Sequence, residues 1–180
     1  MRIIAIAALV LALMPAAFAR EDVVSAVHGT IVKIDSGARI VVVKTADGTR
    51  HTVHIVDKTT VHGAEFSAHG ATDSWHGLTE GTEVVAHYSK RGTEDTAVEI
   101  DRVADDGLKT AKGTVTEIDR GGKRLAVDTG EGSKKTFELT DHASQDAGKG
   151  IAKGAMKGSR VTVYYTEDAG KKVAHFFEAI

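Results

Sequence analysis

The sequence predicts an all-β protein made of two small five-stranded barrels in tandem. Three observations predict it: the chain repeats itself, its apolar residues alternate with period two, and acidic-Gly pairs fall where hairpin turns are needed.

The repeat is the strongest of the three. HGTIVKIDSGARIVVVKTADGTRHTVHIVD (28–57) lies over KGTVTEIDRGGKRLAVDTGEGSKKTFELTD (112–141) at a constant offset of 84, without a gap. The match resumes at an offset of 77, where GTEVVAHY (81–88) faces GSRVTVYY (158–165) and AVEI (97–100) faces AHFF (174–177). The first copy is therefore seven residues longer between its third and fourth strands. In the second copy the strands are expected near 112–118, 123–129, 134–140, 159–166 and 172–178. Phe137 and Leu139 share one face of KTFELT, and Val161, Val163 and Tyr165 share one face of RVTVYY. ADGTR and GEGSK mark the turn between strands two and three, and DSGAR and DRGGK the turn between strands one and two. Strand one breaks strict alternation: Val115 and Ile118 have opposite parity, as do Ile31 and Ile34, which predicts a bulge in a long bent strand. Three short strands, a variable connection and two more strands is the order of an OB-like barrel, here with a short helix or loop between strands 3 and 4 of each copy. DRVADDGLKTA (101–111) joins the copies.

The opening G-T-[IV]-x-x-I-D … V … T-x-[DE]-G and the later G-x-x-V-x-x-x-Y … A resemble small bacterial envelope domains of unknown function, often exported and sometimes tandem. More distantly, the layout is similar to the periplasmic copper chaperone family, which implies a five-stranded OB-like barrel. The resemblance covers about 28–103 and 112–180, and its motifs are turn and core positions, so it speaks to fold. That family's cuprous site uses His, a Met-x-Met pair and a Trp. Here Trp75 lies near His76, but the one Met beyond the first nineteen residues, Met156, belongs to the other copy.

Residues 1–19 read as an export signal: Arg2, an apolar run from Ile3 to Leu13, Pro15, then Ala17 and Ala19 before the expected cleavage at Arg20. The run is too short for a comfortable membrane span. The expected organisation is a signal at 1–19, a His-rich barrel at 20–104 and a barrel with a Lys/Gly-rich connection at 105–180, in a periplasmic or secreted protein with no membrane span after cleavage. There is no cysteine, which excludes disulfides and thiolate chemistry, so the fold rests on its cores. Without residues 1–19 the chain carries 22 basic and 25 acidic residues, net −3, which gives no general attraction to nucleic acid. The first barrel has 9 basic and 13 acidic residues, net −4; the second has 13 and 12, net +1.

Seven of the nine histidines fall in the first copy. Imidazole is the commonest metal-ligating side chain, so His28, His87, His62, His69 and His76 are the candidate ligands of a divalent transition metal such as zinc, cupric copper or nickel. The seven-residue spacing of His62, His69 and His76 suits neither helix nor strand, so an irregular loop would have to gather them. His87 aligns with Tyr164 on an outward position, and His28 begins strand one, whose start, as the resemblance to an OB-like barrel implies, runs antiparallel to the end of strand four. The two are expected to be surface neighbours. In the second copy Lys149, Lys153 and Lys157 are the candidates for contact with a polyanion or glycan. No nucleophile motif or catalytic constellation is present, so no enzyme is expected. The sequence reading is an exported, non-catalytic binding or interaction module of the periplasm or cell envelope, its partner an envelope protein or small ligand. Its alternatives are metal sequestration by the first copy and polyanion or glycan binding by the second.

Overall fold

The computed structural model describes residues 24–63, 77–104, 107–119, 121, 123–130, 132–144 and 157–180. The expected signal, Trp75, Met156, His69, His76, Lys149 and Lys153 lie outside the described residues; Lys157 is exposed.

In the first repeat the strands are β1 (Val24–Asp35), β2 (Ile40–Lys44), β3 (Arg50–His54), β4 (Thr60–His62), β5 (Glu83–Arg91) and β6 (Glu94–Arg102). They run in the order β3-β2-β1-β5-β6-β4, and a further β3–β6 pairing joins the ends of the five longer strands. In the second repeat β7 (Lys109–Asp119), β8 (Arg124–Asp128), β9 (Lys134–Leu139), β10 (Arg160–Asp168) and β11 (Lys171–Ala179) form a closed barrel. The protein is thus mainly β, two small barrels with the same strand order. Closure leaves no open edge on the second ring, and the β3–β6 pairing closes the five longer strands of the first with β4 added beside β6.

Each barrel has its own core. Val27, Ile31, Val41, Val43, Val53, Ile55, Val84, Ala86 and Ile100 fill the first; Val115, Leu125, Val127, Phe137, Val161, Val163 and Phe177 fill the second. Burying a side chain such as Phe137 contributes on the order of 1.5–3 kcal/mol. The bulge predicted for strand one is present in both copies, between Ile31 and Lys33 and between Val115 and Glu117. Gly29 and Gly113 explain a shared letter of the repeat. A Cβ on either would lie 2.3 Å from a backbone oxygen, that of Lys44 or Asp128, so the bent strand cannot pass there with a side chain.

The turn between strands one and two is built differently from expectation. Its left-handed residues are Arg39 (φ 57°) and Lys123 (φ 49°), not Gly37 or Gly121. The carbonyls of Arg39 and Lys123 accept from Ile55 and Leu139 at 2.8 Å, and their side chains pair with Asp57 and Asp141. The two backbone hydrogen bonds hold a conformation that side chains otherwise disfavour, and the exposed ion pairs add little to them.

The barrels meet through faces that each strand turns away from its own core. Val85, Leu108, Tyr164 and Phe176 form a third apolar cluster, with Ala26 and Val103 against it. The connection is shorter than 101–111, because Asp101 and Arg102 belong to β6 and residues 109–111 to β7. Its ends are held together by a Val103–Leu108 bridge and a Leu108 N–H donated to Arg102 O at 2.7 Å.

Candidate metal centre

The centre forms where β6 faces the second barrel. Glu99 and Asp101 are two residues apart on β6 and so point to one side of the sheet. β4 lies parallel to β6 with His62 opposite Asp101. Thr59 fixes that approach, its hydroxyl accepting from Val56 N–H (3.0 Å) and donating to Ala97 O (2.7 Å). Arg102 Nη1 then holds the exit of β4 by donating to Gly63 O at 2.7 Å. On the other side of β6, His87 of β5 pairs with Glu99 in register.

The second repeat supplies two more imidazoles. Thr140 caps the helical residues 141–144: its hydroxyl accepts from Ala143 N–H at 3.1 Å and its carbonyl from Ser144 N–H at 2.9 Å. Thr140 N–H is itself donated to Ala174 O (3.1 Å), so His142 is carried on a turn tied to β11. His175 is the extra residue of a bulge in β11, where Tyr164 pairs with Phe176 and Tyr165 with Ala174. A bulge re-aims the residue it displaces, and here it turns His175 out of its own barrel toward β6.

The distances converge on the two carboxylates. His62 Nδ1 is 3.1 Å from Asp101 Oδ1 and 3.2 Å from Glu99 Oε1. His175 Nδ1 is 3.4 Å from Asp101 Oδ2 and 3.8 Å from Glu99 Oε1. His142 Nδ1 is 3.2 Å from Glu99 Oε2, and the His142 and His87 rings stand 5.3 Å apart between centroids. His62, Glu99 and Asp101 offer three donor atoms all within 4.8 Å of one another. Asp101 is only 1% exposed, and neither of its oxygens accepts a hydrogen bond of good geometry among the described residues. Isolated in such a place, a carboxylate costs several kcal/mol; its charge has to be met by a cation.

Either of two cations can meet it. Carboxylate oxygens only accept, so each facing imidazole nitrogen brings a proton or the two share a metal ion. Donors 3.1–3.4 Å apart match the edge of a tetrahedral shell with bonds near 2.0–2.1 Å, about 3.3 Å. Burial pulls the His175 imidazole down, yet Asp101 and Glu99 outweigh it and leave its pKa above the ordinary value. His87 goes the other way. Burial, aided by the charges of His142 and His175 and opposed by Asp101, pushes it down to about 4, so it is neutral at neutral pH.

No protein-family model matches the chain, and no curated protein matches its sequence. Among solved structures it is distantly similar to the one described as "Crystal structure of Ag(I)CusF": 14% identity over 44% of this chain and 97% of that one, with a TM-score of 0.33. The likeness carries nothing about what this chain binds.

Of the histidines that the sequence singles out, the structure brings His62 and His87 to this centre and places His28 elsewhere. β1 and β5 do run antiparallel, but Ala26 faces His87 while His28 faces Val85. His87 is fully buried, so the two are not surface neighbours. His28 Nε2 donates to Glu83 at 2.7 Å, and its Nδ1 stands 3.1 Å from both Glu178 Oε1 and Tyr164 Oη. Both nitrogens are thus engaged in a latch between the barrels. Sequence reasoning missed Glu99, Asp101, His142 and His175. One signal was present: positions 87, 99 and 101 hold His, Glu and Asp where the second copy holds Tyr164, Phe176 and Glu178.

Proposed function

We propose that the protein is an exported, non-catalytic binding protein for a divalent transition metal, held at His62, Glu99 and Asp101. The observation that carries the reading is the buried Asp101 carboxylate, facing imidazoles at ion-pair distance and accepting no hydrogen bond of good geometry among the described residues. An imidazole and carboxylate donor set without thiolate or thioether favours zinc, nickel, cobalt or cupric copper over cuprous copper. The leader-like residues 1–19 support export, and a periplasmic or secreted site of action. The ligands must shed protons to bind, so metal affinity is expected to fall on acidification.

Calorimetry of the chain lacking residues 1–19, titrated with zinc, nickel and cupric ions at neutral pH, tests the reading. Saturable binding at micromolar protein is expected, with Asp101→Asn and Glu99→Gln each weakening it by roughly tenfold or more. The reading falls if none of the three ions gives a saturable heat.

A further inference from the structure

We propose that His175 is the fourth ligand of this ion, so that one metal is held by both barrels and staples the repeats together. The proposal rests on the metal reading above and names the donor that completes it.

His62, Glu99 and Asp101 offer donor atoms within 4.8 Å of one another, and His175 Nδ1 faces the same two carboxylates from the second repeat. The facing nitrogen-to-oxygen distances are 3.1, 3.2, 3.4 and 3.8 Å. Zinc-like ions take four such donors, and three from the first repeat leave one position open. The far nitrogen of His175, Nε2, lies 3.2 Å from Thr166 Oγ1 of neighbouring β10. With Nε2–H donated to that hydroxyl, Nδ1 turns its lone pair toward Asp101 and Glu99. Metal-ligating imidazoles are oriented this way, one nitrogen on the ion and the other on an outer acceptor. His142 plays a different part. It meets Glu99 on Oε2, the oxygen away from His62 and His175, and so positions the carboxylate.

The other junction between the barrels shows what an interface without a metal looks like. There His28 donates to Glu83 while Tyr164 Oη donates to Glu178 at 2.7 Å, and each acceptor has a donor of its own. At the centre, Asp101 faces nitrogens without a sound hydrogen bond among the described residues. That arrangement fits a centre waiting for a shared cation better than a finished polar contact.

The test uses the chain lacking residues 1–19 and zinc as the probe. His175→Gln is expected to weaken zinc binding at least tenfold, as His62→Gln does, and to remove most of the rise in melting temperature that zinc gives the wild type. In the unmutated protein, the His175 ring proton resonances are expected to shift with zinc and saturate at one equivalent. If the wild type binds zinc, but His175→Gln binds it equally well and the His175 resonances stay put, the staple is refuted while the metal reading stands. If the wild type binds none of the three ions, both fall together.

Discussion

Two equivalent faces of the molecule have been put to different uses. Positions 87, 99 and 101 of the first repeat correspond to 164, 176 and 178 of the second, on strands with the same order and with a bulge at the same place. In the second repeat these positions hold Tyr164, Phe176 and Glu178. Two rings pack 5.8 Å apart, and one carboxylate oxygen is met by a hydroxyl and an imidazole. In the first repeat they hold His87, Glu99 and Asp101, a pair of carboxylates answered, among the described residues, by imidazoles. Duplication gave both barrels one outward face against which the other could dock. One became packing and the other became chemistry.

The comparison can be broken most forcefully at positions 99 and 176. Phe176→Ala removes a ring from the apolar seam and is expected to cost about 3 kcal/mol of unfolding free energy, measured with urea in the presence of a chelator. Glu99→Ala, at the equivalent position, is expected to change the metal-free stability by about 1 kcal/mol or less while weakening zinc binding. Equal losses of stability for the two variants would erase the distinction.

A smaller effect separates the two junctions by pH. Burial pulls His28 down, but hydrogen bonds and charge from Glu178 and Glu83 outweigh it and raise its pKa. Its stabilising contribution is therefore complete below the unfolded value near 6.5 and is lost as pH rises through the folded one. Glu178 is lowered: burial pushes it up, but His28 and Tyr164 outweigh that, so its contribution is present above about 4.5 and lost as pH falls through the folded value. The latch is expected to hold best between those limits. His28→Gln should flatten the decline in chelator-treated stability above pH 6.5; an unchanged slope would contradict the assignment.

The smallest effect is expected where the repeats agree. Arg39–Asp57 and Lys123–Asp141 are exposed ion pairs at equivalent turns, each lowering its aspartate's pKa chiefly through the hydrogen bond from the basic side chain. Asp57→Asn and Asp141→Asn are expected to leave urea midpoints indistinguishable from wild type, because exposed pairs contribute little.

The fold was legible because a duplication aligns each strand with a second version of itself. All five segments expected in the second copy coincide with β7 to β11 to within a few residues, and the broken parity of Ile31 and Ile34 marked a real bulge. The site was not legible, for two physical reasons. An outward position on a strand reads as solvated, yet His87 and Tyr164 are buried because a second barrel covers them. His175 is displaced by a bulge that alternation cannot announce, and its partners lie in the other repeat, 74 and 76 residues away. Spacing within a histidine-rich stretch therefore drew attention to His62, His69 and His76. Only His62 of these is among the described residues, and its nearest charged neighbours are carboxylates of β6.

Anomalous diffraction from zinc-loaded crystals tests the central claim most directly. The account predicts one strong zinc peak about 2.0–2.2 Å from His62 Nδ1, Asp101, Glu99 and His175 Nδ1, on the boundary between the barrels. A zinc-loaded crystal with no peak there, or with its zinc beside His28 and Glu178, would contradict it.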